Sequence, residues 1–285
     1  MNKQHLKNPV FIISAVIVAF LVIIGAVSPN RFGAVAEQLF LFATTNFGWF
    51  YLISVFVVII FLIGLAISKF GKIRLGGENE RPEFPFFTWV GMLFSTGFGT
   101  GLVFWGVAEP MSHFYEPPFP DLGSQTEEAA RVAMGYSFFH WGISQWAIYA
   151  TVGLAIAFLQ FSKKDSALMS KAVEPITGHR KAVTNTIDSL AVIATVMGVA
   201  TSIGLGALQM NGGLSVVANI PLSVWMQLII VLVVFLAYTI SAITGINKGM
   251  RFLSNVNLAL CLLLLLFVFF AGPTVFILNA FTLGI

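Results

Sequence analysis

Three aromatic side chains with polar tips, Trp141, Trp146 and Tyr149, lie within nine residues of one apolar segment. In a regular helix, which turns about 100° per residue, the three rings share an arc of about 140° and cover about 12 Å of the axis. Tryptophan and tyrosine usually gather at the ends of membrane-spanning helices, whereas this group lies well inside its segment. Aromatic faces attract an alkylated cation without needing a carboxylate. The pattern therefore predicts a cation–π site, with core packing or an interfacial belt as the alternative.

A second unusual stretch is "STGFGTGLVFWGVAEP", in which Gly97, Gly99 and Gly101 alternate inside an apolar segment. Each glycine lowers helix stability by roughly 1 kcal/mol relative to alanine in water. Gly97 and Gly101 form a small-xxx-small pair, which suits close packing of two helices. The alternative is a locally unwound helix whose backbone groups face a ligand or an ion, as in the broken helices of many transporters.

The other reactive side chains do not indicate an enzyme, a haem protein or a transition-metal site. The four histidines lie far apart, mostly in loops, and no HExxH pair occurs. They are His5, His113, His140 and His179. We expect His140 to be packed or hydrogen-bonded, and Glu109–Pro110 to end a helix. The single cysteine, Cys261, excludes a disulfide framework within the chain.

The composition requires a membrane environment for the elements that carry these residues. Of 285 residues, 58% are hydrophobic and 9% are charged, and the mean hydropathy is +0.91. Soluble domains carry about 25% charged residues, so this chain cannot cover itself with a solvated surface. Seven apolar segments are long enough to span a bilayer as helices, which predicts an all-α integral membrane protein. They are residues 9–28, 47–68, 88–109, 130–161, 183–207, 222–243 and 253–273.

The orientation follows from the basic residues between these segments. Alternate connections and the N-terminal segment together hold 13 of the 15 Lys and Arg residues, and the opposite side holds Arg31 and Arg131. Cytoplasmic loops are enriched in basic residues, so we predict a cytoplasmic N-terminus and an external C-terminus. Because the basic residues lie in connections, the pI of 9.1 does not indicate a nucleic-acid partner. The external connection contains "SQTEEAA", which supplies a cap and early carboxylates for the fourth helix.

Three motifs together resemble the betaine/carnitine/choline transporter family, most closely its sodium-coupled glycine betaine porters. They are "GFGTGLVFWGVAEP", "FHWGISQWAIY" and "ATVMGVATSIGLGALQMNGGL", and the resemblance runs over nearly the whole chain. It implies that Trp141, Trp146 and Tyr149 form one side of an aromatic box around a trimethylammonium group. It also implies that Gly97, Gly99 and Gly101 belong to a partly unwound third helix that lines the site.

The same resemblance extends to the coupling ion and to the choice of substrate. It implies two sodium sites, with the carbonyls of Ser95 and Phe98 as ligands at one and the hydroxyl of Thr195 at the other, and no other cofactor. Betaine porters usually carry methionine and isoleucine between the three glycines, where this chain has Phe98 and Thr100. The implied substrate is glycine betaine or a similar quaternary ammonium osmolyte, with choline or carnitine as the alternative.

The resemblance further implies a leucine-transporter-like architecture within one membrane domain, residues 1–285. Residues 9–68 would form two peripheral helices, residues 88–273 the first five-helix inverted repeat, and residues 274–285 the start of an external segment. Family members have twelve helices, so a second repeat would be missing, and we expect no transport by this chain alone. A fragment, a pseudogene product, half of a split transporter or a non-transporting remnant would each fit. The expected partners are the bilayer of the plasma membrane and, by resemblance, two further copies in a homotrimer.

Overall fold

A computed structural model describes residues 8–77, 80–245 and 249–284 and, within their helices, all side chains except those of residues 96–100, 102, 283 and 284. In this described part every regular element is helical, which confirms the all-α prediction. The eleven α-helices are α1 Pro9–Val27, α2 Pro29–Ile67, α3 Phe86–Gly97, α4 Gly106–Tyr115, α5 Glu127–Phe139, α6 Gln145–Ala157, α7 Met169–Thr177, α8 Lys181–Ala218, α9 Val224–Thr244, α10 Arg251–Ala271 and α11 Thr274–Gly284.

Among the described residues, six helical stretches are long and apolar enough to cross a membrane: α1, α2, the stretch from α5 to Ser162, α8, α9 and α10. The third predicted span, residues 88–109, is built differently. It contains α3, a π-helical segment from Phe98 to Trp105, and the start of α4. Most large apolar side chains remain exposed, as in α10, because lipid rather than water is the solvent of such helices.

Two predicted boundaries were wrong. Residues 29–46 were expected to connect two spans, but they form the first half of α2, which begins at Pro29 after a one-residue break at Ser28. Glu109–Pro110 was expected to end a helix, whereas α4 continues through Pro110 to Tyr115. Pro110 is the fifth residue of α4, so its missing N–H leaves only the Gly106 carbonyl, in the first turn, without its α-helical partner.

Other local expectations are met. The hydroxyl of Thr126 accepts a hydrogen bond from the N–H of Ala129 at 3.1 Å, and Glu127 and Glu128 occupy the first turn of α5. A cap and two early carboxylates both favour a helix start at this point. A short helix, α7, follows the fourth span and ends at Gly178 with φ +68°.

The helices fall into two compact units. One unit holds α1, α2, α6, α7 and the part of α8 up to Val199. Within it, α2 packs against α6, and the Ser14 hydroxyl donates to the Ser189 carbonyl at 3.3 Å. The carboxylate of Asp188, only 4% exposed, accepts from the backbone N–H and the hydroxyl of Ser170 at 3.0 and 2.8 Å. This pair attaches α7 to α8.

The other unit holds α3, α4, α5, the rest of α8 from Ala200, α9, α10 and α11. Here α4 packs against α5, and α3 packs against α10. The α3–α10 contact is close: a Cβ placed on Gly91 would lie 3.3 Å from Leu258, and the hydroxyls of Ser95 and Ser254 are 3.1 Å apart. Small side chains at this crossing let the two helices approach, as is usual between membrane helices. The domain division implied by the resemblance stays a prediction.

Candidate functional site

The glycine segment departs from a regular α-helix, as its composition predicts, and that it lines a substrate site stays a prediction. The α-helix ends at Gly97, and residues 98–105 continue as a π-helix, with hydrogen bonds from residue i to i+5. A π-helical segment of eight residues is unusual, and such segments are frequent at functional sites. Of the predicted site residues, Gly97, Phe98 and Gly99 are described in their backbone only, whereas Gly101 is described fully.

Trp141 lies directly against this π-helical segment. A Cβ placed on Gly101 would be 3.1 Å from Cζ3 of the Trp141 indole. A side chain larger than hydrogen at position 101 would therefore displace the ring. The indole N–H donates to Oε2 of Glu109, one turn beyond the π-helical segment. Glycine backbone at the Cζ3 edge and a carboxylate at Nε1 together fix the position of Trp141.

Trp146 and Tyr149 form a pair of their own on α6. Their ring centroids are 5.8 Å apart with an interplanar angle of 85°, which is an edge-to-face contact. Trp146 is half-buried, and Tyr149 is 43% exposed. The edge-to-face geometry leaves at least one ring face of the pair uncovered by the other ring, as a cation–π contact requires.

The arc of about 140° predicted for the three rings assumes a regular helix from residue 141 to residue 149, and this assumption was wrong. A π-helical turn from His140 to Ser144 joins α5 to α6, and Gly142 has φ −86° and ψ −132°, outside helical values. The change of direction falls between Trp141, in the unit that contains α4 and α5, and Trp146, in the unit that contains α6. That all three rings share one site stays a prediction.

The predicted sodium ligands are placed as follows. The Ser95 hydroxyl donates to the Met92 carbonyl at 3.1 Å and meets the Ser254 hydroxyl. The Thr195 hydroxyl donates to the Ala191 carbonyl of its own helix at 2.8 Å, and its side chain is exposed. A threonine in this state can still offer an oxygen lone pair to a cation. Ser95 and Thr195 belong to different units, and their role in binding sodium stays a prediction.

The structure also assembles a cluster that the sequence reading missed. Glu109 and His113, one turn apart on α4, meet His140 at the end of α5, and the ligating atoms of all three lie within 4.8 Å of one another. The expectation that the histidines are far apart was wrong for His113 and His140. The expectation that His140 is hydrogen-bonded is met by its contact with Glu109. The i, i+4 spacing of Glu109 and His113 was readable from the sequence, but the third member depends on how α4 packs against α5.

A comparison with known proteins supplies the family. A family model described as BCCT, betaine/carnitine/choline family transporter, matches residues 9–285. An ectoine/hydroxyectoine transporter of Virgibacillus pantothenticus is 62% identical over 285 residues, all of this chain and 57% of that protein. The glycine betaine transporter OpuD of Bacillus subtilis (strain 168) is 45% identical over 281 residues, 98% of this chain and 54% of that protein.

More distant relatives include the osmo-dependent choline transporter BetT2 of Acinetobacter baylyi. It is 36% identical over 280 residues, which are 98% of this chain and 40% of that protein. The chain thus spans about half the length of the curated relatives that it matches.

Proposed function

Because this chain belongs to the betaine/carnitine/choline transporter family, we propose that it forms part of a secondary transporter that imports a zwitterionic osmolyte. The substrate class is a small carboxylate with a quaternary or delocalised cation: ectoine, hydroxyectoine or glycine betaine. The names of the Virgibacillus ectoine/hydroxyectoine transporter and the Bacillus glycine betaine transporter support this range. Choline and carnitine are the alternative substrates.

One observation carries the site assignment: the indole of Trp141 lies against Gly101 in the π-helical segment. This contact joins the two motifs that the substrate site needs, the glycine segment and the first ring of the aromatic group. It supports the assignment because both contacts of the indole, with Gly101 and Glu109, hold it at its edges, through Cζ3 and Nε1, whereas a cation binds at a ring face.

Within this class we propose a preference for ectoine over glycine betaine. Identity to the ectoine/hydroxyectoine transporter is 62%, against 45% to the glycine betaine transporter. Phe98 and Thr100 also depart from the residues usual in betaine porters. Ectoine carries its positive charge in a flat amidine ring, which stacks on an indole face over a larger area than a tetrahedral ammonium group does.

The proposal includes a sodium ion as the coupling ion, a cytoplasmic N-terminus, an external C-terminus and a homotrimer in the plasma membrane. It also includes the absence of transport by these 285 residues alone. Sodium coupling predicts that uptake falls when external sodium is replaced by potassium at constant osmolarity.

The test is uptake by a chimera in which residues 1–285 precede the part of the Virgibacillus transporter that this chain does not cover. Cells that lack other osmolyte carriers are given radiolabelled ectoine, and unlabelled glycine betaine, choline and carnitine compete. We expect ectoine to be the best substrate, and Trp141→Ala or Trp146→Ala to lower uptake at least tenfold. Trp225→Ala is the matched control, because Trp225 is 78% exposed on α9 and lies outside the proposed site.

Unchanged uptake in both Trp141→Ala and Trp146→Ala, with each variant present in the membrane at the parental level, would overturn the site. If choline or carnitine competed better than ectoine, the proposed substrate class would be wrong and choline or carnitine would take its place.

A further inference from the structure

We propose that Glu109, His113 and His140 bind a divalent transition-metal ion of the zinc type. The cluster lies within one compact unit, where α4 packs against α5. Osmolyte transport does not require such an ion, so the proposal goes beyond the proposed function and does not depend on it.

The three side chains point at a common centre. Oε1 of Glu109 is 3.7 Å from Nε2 of His113 and is in direct contact with Nδ1 of His140. All three ligating atoms lie within 4.8 Å of one another. A tetrahedral zinc ion with bonds of about 2.0–2.2 Å needs ligand atoms about 3.4 Å apart, so small side-chain rotations suffice to admit the ion.

The donor set selects the class of ion. Two neutral imidazoles and one carboxylate suit zinc, cobalt or nickel, whereas sodium, magnesium and calcium prefer oxygen ligands alone. Three protein ligands leave a fourth position open to water. The side chain of His140 is 46% exposed and those of Glu109 and His113 are 11% and 22% exposed, so the cluster is accessible from one side.

Neighbouring groups hold the ligands in place. The Trp141 indole donates to Oε2 of Glu109, which turns Oε1 toward the imidazoles. The ring of Tyr136 packs against both histidines, with centroid distances of 5.3 Å to His113 and 5.8 Å to His140. Hydrogen bonds and packing that orient metal ligands in this way are typical of metal sites.

No lysine or arginine competes for Glu109 among its ion pairs in the described part of the chain, where its partners are the two histidines. The contact between His179 and Glu174 on the surface provides a contrast. There, Lys171 donates to Glu174 at 3.0 Å, and this hydrogen bond is the main reason that the pKa of Glu174 is lowered. A carboxylate already neutralised by an ammonium group is a poor metal ligand.

The experiment titrates Co²⁺ into the 285-residue chain, purified in detergent with a tag that contains no histidine. Four-coordinate Co²⁺ develops visible absorption bands, so binding is read without any transport assay. We expect one Co²⁺ per chain, displacement by Zn²⁺, and no displacement by excess Na⁺. His113→Ala and His140→Ala should each weaken binding at least tenfold, whereas the matched control His179→Ala should bind as the parent does.

Size-exclusion elution and the thermal midpoint without metal verify that each variant is folded. An increase in that midpoint on addition of Zn²⁺, seen in the parent and in His179→Ala but not in the two cluster variants, would be independent support. The proposal is overturned if the bands fail to appear, or if folded His113→Ala and His140→Ala bind Co²⁺ as tightly as the parent. Hydrogen bonding among the three residues would then be their only role.

Discussion

Trp141 is held from two directions, and this makes it the best-defined residue of the candidate site. Gly101 allows the Cζ3 edge of the indole to approach the backbone of the π-helical segment, and Glu109 accepts its N–H. A ring that is constrained at two edges loses little further entropy when a ligand binds. The glycine at position 101 is therefore required by a close approach rather than by an unusual φ angle.

This contact predicts the effect of Gly101→Ala. The new methyl group would lie 3.1 Å from Cζ3 of Trp141, and the rigid indole would have to shift. Overpacking of this kind typically costs about 1–3 kcal/mol, so we expect a lower thermal midpoint of the chain in nanodiscs. Gly106→Ala is the control, because a Cβ at Gly106 meets nothing within 4 Å. Equal midpoints for the two variants would show that the indole does not rest on Gly101.

At the residue scale, the sequence predicts the members of the candidate site better than it predicts the contacts between them. Trp141 and Gly101 were both identified from their types and spacing, yet their contact depends on how two helices pack. The same holds for His113 and His140, which are separated in sequence and are brought together by α4 and α5. Angular reasoning along one helix also fails at Gly142, because it assumes a constant turn per residue.

Among the elements, the apolar spans were predictable and their ends were not. Hydropathy indicates where a chain can lie in lipid, but a helix continues as long as its backbone hydrogen bonds do. Hence α2 begins at Pro29, well before the predicted start of the second span at residue 47. The alternating glycines predicted an irregular backbone at the π-helical segment but not its type, because glycine is compatible with several irregular conformations.

The connection between α8 and α9 depends on one buried amide. Asn211 is fully buried, and its Nδ2 donates to the Pro221 carbonyl at 3.1 Å while its Oδ1 accepts from the Ser223 N–H at 3.2 Å. Asn219, in the same connection, has φ +54°, a left-handed conformation that asparagine tolerates better than most residues. The side chain of Asn211 thus supplies hydrogen-bond partners to two backbone groups of the connection, the Pro221 carbonyl and the Ser223 N–H.

Asn211→Leu should therefore destabilise the chain strongly. The substitution removes both hydrogen bonds and places a larger apolar side chain where the amide is fully buried, and overpacking of this kind typically costs about 1–3 kcal/mol. We expect a marked decrease in the thermal midpoint in detergent, together with faster proteolysis in the α8–α9 connection. Ser215→Ala, which removes a hydroxyl bonded only to the Gly212 carbonyl of its own helix, should change stability by less than about 0.5 kcal/mol. A midpoint for Asn211→Leu equal to that of Ser215→Ala would contradict this role.

At the scale of the whole molecule, few apolar side chains are buried. Among the described residues, the buried hydrophobic side chains are Ala129, Ala133, Ala147, Ala207 and Ile230. Four of the five are alanines, so the buried contacts are made where small residues let helices approach, as is usual in membranes. The large apolar side chains face outward, where lipid or protein partners would cover them.

The orientation of the whole chain rests on the distribution of basic residues, and it can be tested without transport. Of the 15 Lys and Arg residues, 13 fall on one predicted side, which should therefore be cytoplasmic. We expect Ser124→Cys, in the connection between α4 and α5, to react with a membrane-impermeant maleimide in intact cells. Ser166→Cys, in the connection before α7, should react only after the membrane is permeabilised. Both serines are exposed, and both variants carry Cys261→Ala, so the introduced thiol is the only one. Labelling of Ser166→Cys in intact cells, with Ser124→Cys protected, would reverse the orientation and place the Glu109–His113–His140 cluster toward the cytoplasm.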